Sequence, residues 1–411
     1  MADYICCTIV TTSHLRYALA LTHSLRQFDL AAPMAILISD HDGGALPEGL
    51  PAMAGNTRFY SPADFAGEPR ADQLYKLYAD KDKDAYRWSM KSVLIRRLLA
   101  KEGFDKVIYL DCDIYCHGDY RFILAELDRY SIVLTPHWRV IDPRQDEGEF
   151  RLLHYHGIYN GGVVAANRSA VDAMRWWADA CAFRCEKNAL RGAYVDQKYL
   201  EHFPILFDNV RILPHRGCNL GCWNIATCPR SNDPGGKVVI CGKWPVIFIH
   251  FNYATVQAIL AGRDPLLAPY LRERDKMLER SDLWTNAPLQ SEQIDSDIGR
   301  EVEQEIFNAV LSDCRQKGYM RIGIYGAGAH TGRLLQSELW QSFDQVIVID
   351  DDRSKKGRVL GGFLILPPEQ AAGYDAILIS SDTCEEQLYY KAINWVPRGT
   401  PVIKIYDSQQ R

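Results

Sequence analysis

Short apolar runs that end in charged or polar residues alternate along this chain with segments of helical periodicity, and that alternation restricts it to wound α/β architecture. The first run, "YICCTIVTT", is followed by a helical pattern from about Arg16 to Gln27 and then by "MAILISD". "WSMKSVLIRRLLAKEG" reads as an amphipathic helix stopped at Gly103, and "KVIYLD" as a central strand bounded by charge. "SIVLTPH", "NGGVVAAN", "VRILP" and "WPVIFIHF" supply further strands. The expected fold is a mixed, mostly parallel wound sheet.

Beyond His250 the pattern changes. "PYLRERDKMLERSDLW" reads as a charged helix and "TNAPLQSEQ" as a polar break between domains. Ile294, Ile298, Val302, Ile306 and Val310 recur every fourth residue and predict a connecting helix. A second α/β pattern follows in "RIGIYGAGAHTGRLL", "QVIVIDDD", "GFLILPPEQ", "YDAILISSD" and "PVIKIYD". These boundaries predict a catalytic domain over 1–285, a linker and helix over 286–318, and a small Rossmann-like accessory domain over 319–411.

With 411 residues and a net charge of −5, the chain has ample length for sizeable cores and no broad basic surface for capturing nucleic acid. No apolar run reaches the roughly 18 residues of a membrane span, and the start "MADYICCTIVTT" shows neither a charged leader nor a cleavage site. The expected location is the cytoplasm, free or peripheral to the inner face of a membrane. The 12 cysteines are scattered, several within apolar runs, which fits reduced and buried thiols. Cys218, Cys222, Cys228 and Cys241 invite a zinc reading, but they lack the paired short spacings of such sites.

The chemistry-bearing residues sit at the ends of the apolar runs. "KVIYLD" runs into Asp111-Cys112-Asp113, two carboxylates one residue apart at the carboxyl end of a predicted central strand, where open parallel sheets place their ligands. Such hard oxygen donors suit Mg²⁺ or Mn²⁺ carrying a substrate diphosphate; the plainer reading is a polar loop after a strand. Asn160 precedes Gly161 and Gly162, glycines that let backbone approach a ligand or merely make a turn. Asp196 and Gln197 fall near a predicted helix start, as site residues or as a cap. His250 ends another apolar strand, as a metal ligand or a satisfied core histidine.

The order of "CTIVTTSHLRYALALTHSL", "RWSMKSVLIRRLL", "VIYLDCDIYCHGD", "IVLTPH", "YNGGVVAANRS", "VDQKYL", "NLGCWNI" and "FIHFNYA" resembles the nucleotide-sugar-dependent glycosyltransferases of the A-type fold, in particular the family of glycogenin and the bacterial lipopolysaccharide glucosyl- and galactosyltransferases. The resemblance covers about the first 255 residues. It implies that Asp111 and Asp113 form the metal and nucleotide-sugar motif, with His250 as third ligand and Mn²⁺ or Mg²⁺ as cofactor. It implies that Asn160, Asp196 and Gln197 face the donor sugar as catalytic residues. Thr11 and Ser13 match the loop that receives the base, Gly161 lies against the donor, and Arg87 and Lys91 are candidates for diphosphate contact. Transfer of a hexose from a UDP-linked donor to a glycan or glycolipid, with retention of configuration and a place in cell-envelope polysaccharide synthesis, is implied by the same resemblance. One departure stands out: the family's glycine and diphosphate-binding lysine after the histidine are missing from "HFNYATVQAIL", which leaves Arg87, Lys91 or Lys243 to supply the charge.

In the last segment "YGAGAHTG" places Gly326, Gly328 and Gly332 between a predicted strand and helix, and "VIVID" ends in Asp350 at about the distance of a ribose-binding acid in dinucleotide folds. The loop is a nucleotide-binding candidate or a device for tight strand-to-helix packing. Two other functions compete with glycosyl transfer. A non-catalytic nucleotide-sugar binder is kept open by the missing glycine and lysine. An NAD-dependent sugar oxidoreductase would centre on the C-terminal loop, where no Tyr-x-x-x-Lys pair accompanies it.

Overall fold

The computed structural model describes residues 3–41, 55–188, 191–285, 307–370, 373–381, 385–397 and 399–405. Two compact units divide the chain, Met1–Ser291 and Glu292–Arg411. The stripe positions Ile294, Ile298, Val302 and Ile306 and nearly all of the predicted polar break lie outside the described residues.

The first unit is built on a seven-stranded sheet. Its strands are β1 (Tyr4–Val10), β2 (Met34–Ile38), β3 (Thr57–Tyr60), β4 (Lys106–Leu110), β6 (Ile132–Pro136), β7 (Tyr159–Asn167) and β8 (Val210–Ile212), in the order β8-β6-β7-β4-β1-β2-β3. All neighbours run parallel except β7, which is antiparallel to both β4 and β6. The sheet is therefore mixed and mostly parallel, as the alternating pattern predicts. Both faces are covered, which explains why β1 is apolar at nearly every position: Ile5, Cys7 and Ile9 enter one core cluster, Cys6 and Val10 the other. Helix α1 (Leu15–Arg26) closes one face through Leu15, Ala18 and Leu25, and α2 (Lys83–Ala100) closes the opposite face through Met90, Leu94 and Leu98.

A two-stranded ladder sits beyond the carboxyl end of β4. It joins β5 (Ile114–Cys116) to β9 (Phe248–His250) in antiparallel register, with His250 opposite Ile114. Asp111, Asp113 and His250 converge here.

The second unit holds a six-stranded sheet of β10 (Arg321–Tyr325), β11 (Gln345–Ile349), β12 (Val359–Leu360), β13 (Phe363–Leu366), β14 (Ala376–Ile379) and β15 (Val402–Lys404). The order is β12-β13-β11-β10-β14-β15, parallel throughout except for the β12–β13 pair. Residues 307–316 are helical, and Phe307, Val310, Leu311 and Cys314 are buried in the same cluster as Ile322, Ile324 and Val348. That stretch belongs to the core of the second unit rather than to a linker reaching residue 318, because its apolar stripe is buried there.

Candidate active site

Strand β4 delivers Asp111 one residue past its last ladder position, and the Asp111 N–H donates to the Gly162 carbonyl on β7 at 2.8 Å. The chain then turns, and Asp113 precedes β5. The Asp113 carbonyl accepts the Phe251 N–H at 2.9 Å, so the β5–β9 ladder places His250 beside the second carboxylate. His250 Nε2 lies 3.1 Å from Asp113 Oδ1 and 4.0 Å from Asp111 Oδ2. One ligand atom from each of Asp111, Asp113 and His250 lies within 4.8 Å of the other two. Among the described residues this is the group able to share a metal ion; the four cysteines considered for zinc form no such group, and Cys241 is exposed.

The donor set suits a divalent cation that prefers oxygen and imidazole ligands. His250 is oriented for this role by Asn219, whose Oδ1 accepts from His250 Nδ1 at 3.3 Å. With the proton held on Nδ1, Nε2 offers its lone pair toward the carboxylates. Trp223 packs edge-on against the His250 ring at 5.5 Å. Neither Asn219 nor Trp223 was singled out as a site residue from the sequence, although both fall in the family-like stretch "NLGCWNI".

Lys91 on α2 joins the metal group to the other candidates. Its side chain is 4% exposed, and its Nζ lies 3.2 Å from Asp111 Oδ1, 3.4 Å from Asp196 Oδ2 and 3.2 Å from the Gly161 carbonyl. Burial works against the charged ammonium, but Asp111 and Asp196 outweigh it and hold the lysine above its ordinary value. Burial also pushes the Asp196 carboxyl up to about 6, against the pull of Lys91. Tyr109 donates to the same Asp111 oxygen at 2.7 Å.

Gln197 is fixed at both ends of its amide, accepting from Gly161 N–H at 2.7 Å and donating to the His156 carbonyl at 2.9 Å. Asn160 is fixed as firmly: its Oδ1 accepts from Gly162 N–H at 2.7 Å, and its Nδ2 donates to His137 Nε2 at 2.9 Å. His137 in turn donates from Nδ1 to the Gly157 carbonyl at 2.8 Å. Burial holds His137 neutral, well below its ordinary value, so the relay has one direction. Nothing local in "IVLTPH" marks that role.

Gly162 lies where these groups meet. A Cβ there would come within 2.6 Å of Asn160 Oδ1, 2.7 Å of His250 Cε1 and 2.9 Å of Asp111 Oδ2. At Gly161 the nearest atoms would be Gln197 Cβ at 3.3 Å and Asp196 Oδ2 at 3.4 Å.

After β1, Thr11 Oγ1 pairs with Ser13 Oγ at 3.0 Å, and both hydroxyls reach His14 Nδ1 at 2.9 Å. The Thr12 N–H and hydroxyl both donate to Asp40 Oδ1, at 2.7 and 2.9 Å. Arg87 is partly buried and paired with Asp84 at 3.0 Å; Asp84, Cys112 and Asp111 overcome its burial and hold it above its ordinary value. Lys243 sits on an exposed turn with its Nζ 4.3 Å over the Trp244 ring.

In the second unit Gly326 has φ +111°, and a Cβ there would meet the Ser380 carbonyl at 2.8 Å, so glycine is required by geometry. A Cβ at Gly328 would meet nothing within 4 Å, and one at Gly332 only Leu360 Cδ1 at 3.8 Å. Asp350 accepts from Ala327 N–H at 2.7 Å, Asp352 N–H at 2.8 Å and Lys355 Nζ at 3.0 Å. The chain's own carboxylate thus occupies a loop N–H of the kind that cradles phosphate in dinucleotide folds.

No family model matches the chain. It is 28% identical over 249 residues to the uncharacterized protein YfnF of Bacillus subtilis (strain 168), covering 60% of this chain and 80% of that one. Its structure is similar to mouse xyloside xylosyltransferase 1 at 17% identity and a TM-score of 0.38, covering 62% of this chain and 99% of that one. It is also similar to the galactosyltransferase LgtC solved with donor and acceptor sugar analogs, at 18% identity and a TM-score of 0.39, covering 69% and 98%. What the fold and site define is a mixed α/β unit with an Asp111–Asp113–His250 cluster, able to hold a divalent cation, just past the carboxyl end of strand β4.

Proposed function

We propose that the first unit is a metal-dependent glycosyltransferase that moves a hexose from a UDP-linked donor to a glycan or glycolipid acceptor with retention of configuration. The observation that carries this reading is the convergence of Asp111, Asp113 and His250 within 4.8 Å, at the carboxyl end of a central strand, next to the Lys91–Asp196 pair. Carboxylates and an imidazole so placed fit Mn²⁺ or Mg²⁺ carrying a diphosphate. The order of family-like segments along the first unit agrees with it.

When bound, a divalent cation neutralises charge on the departing diphosphate. The chain's own residues do the positioning. Lys91 keeps Asp111 and Asp196 in place, and Asp196 stands at the donor's reacting end as a carboxylate screened by that ammonium. Gln197, locked between Gly161 and His156, presents its carboxamide beside Asp196 to the sugar or the incoming hydroxyl. The bare backbone of Gly161 and Gly162 leaves room for a sugar against the strand. Thr11 and Ser13 receive the base, and Arg87, which feels the Asp111 charge, takes over the diphosphate contact left open by the missing lysine, since Lys91 is consumed between Asp111 and Asp196 and Lys243 is exposed over the Trp244 ring.

Release of UDP from UDP-glucose, UDP-galactose and related hexose donors in the presence of Mn²⁺, followed with product detection by mass spectrometry, tests the reading. Binding without turnover of any donor would favour the non-catalytic alternative. The second unit is proposed to be dispensable for donor hydrolysis. A chain shortened to Ser291 that folds but has lost hydrolysis would contradict that.

A further inference from the structure

We infer that His156 is an acceptor-binding residue that presents its Nε2–H to an oxygen of a saccharide acceptor beside Gln197, and that Arg139 is the positioning residue that sets its tautomer. The inference rests on the glycosyltransferase reading above. Neither residue belongs to the metal group, and neither was expected from the sequence.

His156 ends helix α3 (Glu147–His156), which Gly157 terminates with φ +98°. Its carbonyl accepts from Gln197 Nε2 at 2.9 Å, which ties this helix end to the residue beside Asp196. The ring is held from the other side. Arg139, 8% exposed, is paired with Glu149 on the same helix and directs Nη2 to His156 Nδ1 at 3.0 Å. A guanidinium has donors only, so Nδ1 must accept and the ring proton must sit on Nε2.

Charge on the ring is suppressed as well. Burial, then Arg139, His137, Lys187 and Lys198, hold the imidazole well below its ordinary value. The three cations each have a partner of their own: Arg139 pairs with Glu149, Lys198 contacts Glu201 at 2.9 Å and the His154 carbonyl at 2.7 Å, and Lys187 lies 4.5 Å over the Trp88 ring. A fixed neutral donor remains. Among the described residues Nε2 has no hydrogen-bond partner, and Tyr194 and Tyr155 flank the ring at 4.5 and 5.1 Å. A neutral N–H framed by aromatic rings suits a hydroxylated, uncharged ligand, in which C–H faces meet rings and an oxygen accepts the hydrogen bond.

Saturation-transfer NMR on the full chain with UDP and Mg²⁺ tests this, using methyl β-D-glucopyranoside and methyl β-D-galactopyranoside as probes. The wild type should give a glycoside signal, and His156→Ala should weaken it by about tenfold. His156→Gln, whose amide N–H can replace Nε2–H, should retain most of it. Nitrogen-15 spectra should show a single Nε2–H tautomer for His156, replaced by a tautomer mixture in Arg139→Met, with thermal melts establishing that each variant is folded. A glycoside signal absent from the wild type, a signal unchanged in His156→Ala, or a wild-type proton on Nδ1 would overturn the inference. UDP binding by the wild type separates the two levels: UDP bound with a glycoside signal indifferent to His156 removes this inference alone, whereas no UDP binding removes the glycosyltransferase reading with it.

Discussion

His250 Nε2 lies 3.1 Å from a carboxylate oxygen of Asp113, a residue far away in sequence, because the short β5–β9 ladder sets Phe248–His250 against Ile114–Cys116. The approach depends on the register of these three pairs: a slip of one residue would turn His250 to the opposite face. The Asn219 contact at Nδ1 then selects which nitrogen faces the carboxylates.

Removing Lys91 leaves Asp196 and Asp111 facing each other with Asp196 fully enclosed. Lys91→Met is expected to cost about 3 kcal/mol near neutral pH, the usual scale for deleting one partner of a buried pair. The loss should shrink as pH falls. In the wild type Asp196 is raised to about 6, above an unfolded value of about 3.9, so its protonation favours the folded state at low pH and that contribution is lost as pH rises through 6. Without Lys91 the carboxyl rises further and the window widens upward. Urea denaturation at pH 7.5 and pH 5 measures this; equal losses at the two pH values would contradict it.

Gly162→Ala should damage the site more than the fold. The added methyl would meet side-chain atoms of Asn160, His250 and Asp111 rather than backbone. Relief by shifting those side chains is expected to cost about 1–3 kcal/mol of stability, while Mn²⁺ affinity falls about 10- to 100-fold because the ligands and their supports move together. Titration calorimetry with Mn²⁺ beside a thermal melt reads both. Unchanged metal affinity would show that the packing around Gly162 does not set the ligand geometry.

The C-terminal glycines divide by their surroundings. Gly326→Ala should destabilise the second unit by about 1–3 kcal/mol, since a side chain there is strained at φ +111° and collides with the Ser380 carbonyl. Gly328→Ala should change stability by less than about 1 kcal/mol, because nothing lies within 4 Å of its Cβ position. Comparable losses for the two would mean that the loop is under a constraint other than packing.

The strands of the first unit were legible because both faces of the sheet are covered, which makes runs such as "YICCTIV" and "KVIYL" continuous rather than alternating. Asp111, Asp113 and His250 were legible for a related reason: each is a polar residue placed abruptly at the edge of such a run. The reversed direction of β7 was not, since an apolar pattern carries no sign of strand direction. Asn219 and His137 were missed because they act at second hand, through partners distant in sequence, and leave no local signature. Lys91 was visible as a basic residue on a helix, but its burial between two carboxylates follows from packing of α2 on the sheet. The helix over 307–316 looked like a connector because its periodicity tells that it packs and not against what.

Metal-dependent glycosyl transfer is tested most directly by release of UDP from UDP-hexose donors by the full chain, compared with Mn²⁺ present, with EDTA, and in Asp113→Asn. Asp113 is only partly buried and bears little core packing, so the variant should melt close to the wild type. Hydrolysis that needs the metal and falls at least about 100-fold in Asp113→Asn is the predicted result. Turnover undiminished in EDTA or in Asp113→Asn would contradict it.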